Sequence, residues 1–590
     1  GILIVLLTMS TAMGVIGSAF SSTLERSQEE RSLYAAGADL RVRHSGVSSA
    51  REDGRLAEAV QQHPAVLGAA EVYRTTGQIT TTGFSTSASV LAMDASRIAD
   101  VAWFRDDLAD GRSINELAEL LLDGPEVPKG LLLPSDARGL AIWVQPGGLN
   151  QGANLWARLR DARGLYFDVW LGGLAGEGWH LVQSDLTPVV AAGRRFINQE
   201  RNVSVLPPFS LQAFQITDRF RTSASSDLGA VFLGRIDALT PNGPVTVADF
   251  QDSNDWSVIQ DFARPGLYAV ETSKSASGGQ FPVSTRYSWA TGGVGMRGLR
   301  PGPTEGAVPA VVNQEFLELA DASVGDDVIL GLSTYSVMVN IAGVADYFPT
   351  MDPGKKPFVL MDLGIFEAVS NQHSPIPLVG ANEIWLDLTS TPGLSDQDAD
   401  QDALDGLGDK VDTGQVLDFI RESGVSVREV FDADVLVAER VDQPLVNAGW
   451  GALLVLLFLA VALATGSGVM LFSFLDTKER QTEYALLRTL GSSGGQLRGI
   501  VWFNLFLIVI CGVVMGTWVG QLIGTSLLPL MEVAEEGERV TPPMAFTVNW
   551  LSLAVSYGVL ALVTVVTVLW LAWLSSKIQV QQVLRMGDAG

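Results

Sequence analysis

The sequence has very few cysteine and histidine residues, and it lacks the motifs in which such residues usually do chemistry. The only cysteine among the 590 residues is Cys511, so no disulfide can form within the chain. The four histidines show no metal-ligand spacing. No GxxxxGK[ST] motif is present to cradle a phosphate, and no acid/base constellation is recognisable. We therefore expect no catalytic site, no cofactor and no metal, and we expect that this chain does not hydrolyse ATP by itself.

Charged residues are missing from four long stretches, residues 1–24, 443–475, 499–531 and 540–576. About 20 helical residues cross a hydrocarbon core of about 30 Å, and a helix satisfies its own backbone groups in lipid. The sequence thus predicts an α-helical membrane domain of four transmembrane helices. Because the first stretch opens without a basic flank, we expect the natural product to be longer at its N-terminus.

The charges between these stretches predict an orientation. The link 476–498 holds four basic and three acidic residues and the tail 577–590 holds two and one, whereas the loop 532–539 is acidic. Positive charge favours the cytoplasmic side. We therefore expect a multi-pass protein of the plasma membrane with both chain ends in the cytoplasm and residues 25–442 outside.

Acidity is concentrated in that large outer region. The chain has a net charge of −26, and residues 25–442 account for −25 of it. Nucleic-acid binding needs a basic face, so this charge argues against a nucleic-acid partner. Solubility through mutual repulsion is a simpler interpretation than a cation site.

The predicted secondary-structure pattern of the large region changes twice along the chain. Residues 25–127 and 299–442 mix helical and strand-like patterns, which predicts an α+β domain. Residues 128–298 contain short alternating strands at regular spacing, which predicts a β-sandwich inserted into that domain. This insert resembles carbohydrate-binding jelly rolls. Residues 443–590 complete the chain as the membrane domain with helices two to four.

Three tryptophans lie on the predicted sandwich strands: Trp156, Trp170 and Trp179. Aromatic rings on a strand surface can stack on sugar rings and form a sugar-binding platform. Filling of the sandwich core accounts for them equally well, since alternate residues of a sandwich strand are buried. Both interpretations stay open.

The clearest family signal is KERQTEYALLRTLGSSGGQLRGIVWFNLFLIVICGVVMGTWVG at residues 478–520. It has a charged ER..E helix, an LR.LG turn, a second short helix and a glycine-rich span. In this it resembles FtsX-like, MacB-type ABC transporter permeases. The segment RSLYAAGADLRV after the first span and the segment VGDDVIL…VNIAGVADYFPTMDP before the second span resemble the large-permease branch of that family.

This resemblance implies a permease subunit that uses ATP hydrolysed by a separate cytoplasmic ABC ATPase to move its extracytoplasmic domain. It implies a second permease copy or half and membrane lipid as further partners, and as activities either export or extraction of lipoprotein, lipid or peptide, or mechanotransmission. The alternative is a membrane-anchored scaffold or cell-wall-binding protein that is no longer coupled to ATP.

We predict that the link 476–498 docks onto the ATPase through a short amphipathic helix with charged residues on one side and leucines on the other. An ordinary cytoplasmic hairpin is the alternative. The predicted coupling residues are Glu479, Arg480, Glu483, Leu487, Arg488 and Leu490.

Glycine recurs every four residues in the third apolar stretch, at Gly512, Gly516, Gly520 and Gly524. This spacing places all four on one helix face, where small residues let another helix approach closely. We predict a packing face, used either within the fold or by a partner permease.

Overall fold

A computed structural model describes most of the chain, which divides into two compact units, Gly1–Ser32 with Leu436–Gly590, and Leu33–Val435. The described residues are 2–45, 55–81, 84–125, 129–148, 153–187, 205–217, 228–274, 280–291, 297–303, 306–375, 380–388, 413–441, 494–531 and 540–576, with short pieces between 456 and 475.

The regular elements are named here in chain order. The helices are α1 (Ile2–Ala36), α2 (Leu56–Val60), α3 (Ile114–Leu122), α4 (Gln314–Ala320), α5 (Leu363–His373), α6 (Thr413–Glu422), α7 (Ala433–Val441), α8 (Gly494–Met531) and α9 (Trp550–Ser576). The strands are β1 (Leu40–Ser45), β2 (Val66–Thr81), β3 (Phe84–Met93), β4 (Leu131–Leu132), β5 (Gly139–Pro146), β6 (Asn154–Arg160), β7 (Tyr166–Gly173), β8 (His180–Asp185), β9 (Ser210–Thr217), β10 (Gly229–Thr240), β11 (Gly243–Asp249), β12 (Trp256–Val258), β13 (Tyr268–Lys274), β14 (Val283–Trp289), β15 (Gly298–Pro301), β16 (Val308–Val312), β17 (Asp327–Gly331), β18 (Ser336–Val344), β19 (Phe358–Asp362), β20 (Glu383–Leu388) and β21 (Ser426–Asp432).

Two helices in the described part of the chain are long and apolar enough to cross a membrane, Ile4–Ala36 within α1 and Phe506–Ser526 within α8. The sequence predicted four such helices, so this count is corrected to two for the described residues. The described part of the stretch 443–475 contributes the short apolar helix Leu459–Gly468, which is too short to span. The remaining stretch contains α9, a helix of 27 residues.

A mixed nine-stranded sheet forms the platform of the large unit, in the order β17-β18-β16-β19-β3-β2-β20-β1-β21. Its strands come from both sides of the segment that holds β4 to β15. Successive residues of a strand point to opposite sides of the sheet, and here both sides carry apolar side chains. Helices cover both faces and bury them. On β3, Leu91 joins the core under α3, whereas Val90 joins the core under α4 and α5.

The strands from β4 to β15 form two six-stranded antiparallel sheets. One follows the order β13-β14-β10-β5-β8 with β11 beside β10, and the other follows β12-β15-β9-β6-β7 with β4 beside β9. Both contribute to one apolar core, in which Ile142 of β5 and Ala157 of β6 are fully buried. The sheets therefore pack face to face. The boundaries of the predicted insert, 128–298, and its jelly-roll likeness stay predictions.

One continuous segment supplies all strands of this shared core, so we expect residues 129–303 to fold alone. The isolated fragment should give β-dominated circular dichroism and a cooperative melt. A matched fragment that stops at residue 296 lacks β15, whose Leu299 is fully buried in the core, and should melt at a lower temperature. A helical or unfolded spectrum of the longer fragment would contradict the prediction.

Candidate functional site

The predicted coupling residues cannot be placed in the structure. Glu479, Arg480, Glu483, Leu487, Arg488 and Leu490 all lie outside the described residues. Their docking onto an ATPase therefore stays a prediction.

The four glycines of α8 lie where other backbone or side-chain atoms approach the helix closely. A Cβ atom on Gly512 would lie 2.6 Å from the Cβ of Leu7, and one on Gly520 would lie 2.8 Å from the Cβ of Val15. Gly516 faces the Thr8 carbonyl oxygen of α1. Three of the glycines thus meet α1, and Gly524 meets the ring of Phe546. This is the close helix approach that small residues permit.

Gly516→Ala should therefore destabilise the helix pair. Its Cβ would lie 2.5 Å from the Cβ of Thr11 and 2.7 Å from the Thr8 carbonyl oxygen, so one helix has to shift. Such overpacking costs about 1–3 kcal/mol. We expect a lower thermal unfolding midpoint of the full chain in detergent.

The matched control is Gly558→Ala on α9, where an added Cβ would meet no atom of the described residues within 4 Å. Its unfolding midpoint should be unchanged or raised, since alanine favours a helix. Equal effects of the two substitutions would contradict close packing at Gly516.

The C-terminal end of α1 is fixed by an arginine from the strand that follows it. Arg41 donates from Nε to the Ala36 carbonyl at 2.7 Å and from Nη2 to the Ala35 carbonyl at 2.9 Å. These carbonyls have no partner within the helix. A cation at this position also interacts favourably with the negative end of the helix dipole. Arg41 thereby joins the last turn of α1 to the nine-stranded sheet.

A buried carboxylate, Glu383 of β20, gathers three arginines at the same place. Its side chain is 1% exposed. It accepts from Nε of Arg74 at 2.7 Å and from Nε of Arg43 at 2.8 Å, and Nη1 of Arg41 lies 3.6 Å away. The indole of Trp385 donates to Oε2 at 3.2 Å. We call Arg41, Arg43, Arg74 and Glu383 the anchor cluster.

Burial alone would raise the pKa of Glu383, but Arg74 and Arg41 outweigh it and hold this pKa at about 2. The carboxylate is therefore ionised at every physiological pH. Arg74 also donates to the Thr350 hydroxyl at 2.5 Å, and the Thr350 amide donates to the Tyr34 carbonyl of α1 at 2.8 Å. The cluster thus contacts the end of α1 by two routes.

We expect Glu383→Gln to lower the free energy of unfolding by about 3 kcal/mol, because three guanidinium groups lose their shared anion in a buried site. Exposed Glu429, which contacts Arg43 alone in the anchor cluster, supplies the control Glu429→Gln, with an effect below about 1 kcal/mol. Tryptophan fluorescence during thermal unfolding of the full chain reports both. Similar midpoints would show that Glu383 does not support the fold.

The pH dependence follows from the lowered pKa of Glu383. The ionised carboxylate stabilises the fold above its unfolded pKa near 4.5, and this contribution disappears as the pH falls through about 2. We therefore expect Glu383→Gln and wild type to differ most above about pH 5.

The two connections of the large unit to the rest of the chain enter its sheet on adjacent strands. β1 follows α1, and β21 precedes α7, and these strands pair antiparallel with Leu40 opposite Asp432. The Ala433 amide, at the start of α7, donates to the Asp39 carbonyl at 2.9 Å. Both helices are therefore attached to the sheet through strands that pair with each other.

The outer surface of β6 and β7 carries three cross-strand pairs that face away from the sandwich core. They are Trp156 with Trp170, Arg158 with Asp168, and Arg160 with Tyr166. Residues that are directly opposite on antiparallel strands share a face. The intervening Ala157 and Leu159 point into the core.

Arg158 fastens this surface to α5 of the platform. Its guanidinium and the Asp168 carboxylate are both fully buried, with Nε 2.8 Å from Oδ1. Nη1 donates to the Ser374 carbonyl at 2.7 Å and also to the Asn371 carbonyl, at the C-terminal end of α5. Asp168 balances the charge, and Arg158 caps the helix.

The tryptophans of the predicted sugar platform do not share one surface. Trp156 is 5% exposed and donates to the Thr217 hydroxyl at 2.9 Å. Its neighbour Trp170 is 47% exposed. Trp179 belongs to the segment before β8 on the other sheet and packs against Phe281, with ring centroids 4.7 Å apart. The structure therefore brings Trp156 and Trp170 together and leaves Trp179 elsewhere.

Sequence reasoning missed both arginine clusters, although a signal was present. The strands LRVR and ARLR each place two arginines at alternate positions between apolar residues, at Arg41 with Arg43 and at Arg158 with Arg160. Such spacing puts both cations on one face, where they require an anion if buried. The carboxylates that supply it could not be identified from local sequence.

Comparison with known families places one part of the chain. Residues 455–580 match the family model described as FtsX-like permease C-terminal. No curated protein matches the chain. The matched part contains α8 with its glycine face and the whole of α9, and it includes the whole link 476–498.

Proposed function

Residues 455–580 are an FtsX-like permease C-terminal domain, and on that premise we propose that the chain transmits ATP-driven motion from a separate cytoplasmic ATPase to its large extracytoplasmic unit. Such a domain implies a permease subunit of an ABC transporter. The family match is the observation that carries the proposal.

The anchor cluster gives that motion a route. Helix α1 ends in carbonyls held by Arg41, and Arg41 lies beside the carboxylate that also binds Arg74 of β2. A pull on the last turn of α1 would therefore act on β1, β20 and β2 together. Because buried ion pairs resist separation, the sheet edge would move as one piece.

The second connection, through α7, reaches the same edge of the sheet, because β21 precedes α7 and pairs with β1. Since β1 and β21 are paired, relative movement of α1 and α7 would strain a single ladder. Two connections on one sheet edge suit a unit that tilts or twists as a whole. Transmission of motion therefore needs no pore through the membrane helices.

The remaining features of the proposed machine rest on the sequence. It has both ends in the cytoplasm, the large unit outside and a second permease copy or half beside it in the lipid. The inserted β-sandwich of residues 128–298 would be the part that meets the cargo or regulated partner. The cargo class stays open among lipoprotein, lipid and peptide.

Coupling would depend on the link 476–498. A short helix exposed at a membrane surface is marginal alone and gains most from a partner's groove. Leu487 and Leu490 would fill that groove, and Glu483 and Arg488 would set its register through opposite charges. Glu479 and Arg480 would extend the charged side.

The test is a triple substitution in the link, Glu483→Lys, Leu487→Asp and Arg488→Glu. The full chain is purified from membranes in mild detergent, and a co-purifying chain with a Walker A motif is identified by mass spectrometry. Wild type should retain this ATPase and stimulate its ATP hydrolysis. The triple variant should lose both by at least about tenfold, because a charge enters an apolar contact.

A matched control reverses charge in the loop proposed to lie outside, with Glu535→Lys and Glu536→Lys. It should leave ATPase retention unchanged, and all three proteins should show the same thermal unfolding midpoint. If the triple variant binds and stimulates the ATPase as well as wild type, the coupling role is wrong. The chain would then be better explained as a membrane-anchored scaffold.

A further inference from the structure

A cavity of about 320 Å³ lies where the outer surface of β6 and β7 meets the platform. Arg160 and Tyr166 come from that surface, and Lys129 precedes β4. The platform supplies Arg55, before α2, and residues of the first turns of α5. The lining consists of Arg55, Lys129, Arg160, Tyr166, Gly364 and Glu367.

The cations of this cavity are not equally engaged. Arg55 contacts two buried carboxylates, with Nη1 3.3 Å from Glu71 and Nη2 3.3 Å from Glu367. Arg160 and Lys129, in contrast, form no ion pair within the described part of the chain. The Arg160 Nε is buried and has no hydrogen-bond partner among the described residues. A buried donor without a partner is costly, and a bound ligand would remove this cost.

The polar groups around Arg160 point to the kind of ligand. Burial raises the pKa of Tyr166 to about 12, so its hydroxyl stays protonated and can donate a hydrogen bond. Glu367 is 7% exposed, and its Oε1 has no hydrogen-bond partner among the described residues. The guanidinium of Arg160 lies 5.7 Å from the centre of the Tyr166 ring. The cavity thus offers two cations that form no ion pair among the described residues, a neutral donor and a carboxyl group that can change its charge.

We propose that this cavity binds a small phosphate-bearing ligand, with Arg160 and Lys129 as its anion-binding side chains and Tyr166 as a neutral donor. A phosphate monoester has a charge of about −1.5 to −2 at neutral pH and matches two cations, whereas a carboxylate matches one. Guanidinium groups also fit phosphate oxygens in pairs. This site is independent of the proposed ATP coupling, and its tests need no ATPase.

Such a ligand would act as a clamp between the two parts of the large unit. Arg160 lies two residues after Arg158 on the same face of β6, and Arg158 already fastens this surface to the end of α5. A phosphate held by Arg160 beside the start of α5 would fasten the other end of the same helix. Binding should therefore stabilise the contact between the β-sandwich and the platform.

The first experiment is isothermal titration of the full chain in detergent with glycerol 3-phosphate, at fixed ionic strength and without chloride. Arg160→Gln and Lys129→Gln should each weaken binding by about tenfold or more, since each removes a charge-assisted hydrogen bond. The matched controls are Arg235→Gln on β10 and Lys274→Gln on β13, which lie on the other sheet and should bind as wild type does.

Lys129 is exposed, so its substitution should not unfold the chain and is the decisive variant. Unchanged affinity in Lys129→Gln, or no saturable heat with wild type, would overturn the proposal. Inorganic phosphate forms the second arm. If glycerol 3-phosphate binds more tightly than inorganic phosphate, the ligand is a phosphate ester such as a lipid headgroup. If inorganic phosphate binds more tightly, the ligand is the free anion.

The second experiment uses pH. Burial, aided by Glu71 and opposed by Arg55 and Arg160, raises the pKa of Glu367 to about 7. A bound anion favours the protonated carboxyl, so affinity should fall as the pH rises through about 7. The ionisable groups around Glu367 are Arg55, Glu71, Lys129, Arg160 and Tyr166.

Sulfate is the probe here because its own charge does not change between pH 6 and pH 8. Wild type should bind sulfate several-fold more weakly at pH 8 than at pH 6. Glu367→Gln should bind it with pH-independent affinity at least equal to that of wild type at pH 6. A pH-independent wild-type affinity would place the anion away from Glu367 and would overturn the site.

Discussion

A buried carboxylate has to be compensated, and at Glu383 this requirement determines how the edge of the nine-stranded sheet is built. Removing an anion from water costs several kcal/mol unless donors surround it. Here the donors come from β1 and β2, which flank β20 in the sheet but lie about 300 residues before it in the sequence. The order of these strands and the position of the α1 end cannot change independently, because each supplies or receives a part of the same compensation.

The same arrangement is found where the sandwich meets the platform. In each case one arginine divides its donors between a buried carboxylate and the last carbonyls of a helix, Arg41 at α1 and Arg158 at α5. Those carbonyls carry the negative end of the helix dipole. A guanidinium can serve both partners because its five donors are fixed in one plane. Helix ends are thus tied to strands by directional contacts, which fix the orientation of each helix end as well as its distance from the strand.

What the sequence could predict depended on the range of the interaction. Charge-free stretches and the four-residue glycine repeat are local patterns, and α8 with a packing face follows from them. That α1 is the helix that meets this face could not be predicted from the repeat. The alternation of apolar and other residues likewise indicated the strand-rich segment. Glu383, however, reads as one polar residue at the start of the strand EIWLDL, and its arginine partners lie more than 300 residues earlier. Glu367 is similarly inconspicuous in α5. Contacts of this separation become visible only when strand order is known.

The net negative charge of residues 25–442 repels an approaching anion at long range, whereas the cations of the cavity attract it at short range. The net charge of −25 repels anions from the molecule as a whole, but at physiological ionic strength this field is screened over about 8 Å. Within the cavity Arg160 and Lys129 act over shorter distances and through less water, so their attraction is screened less. Added salt should therefore ease the approach of an anion more than it weakens the bound state. A cationic cavity in a region of net negative charge favours ligands that can form close hydrogen bonds over diffuse binding of polyanions.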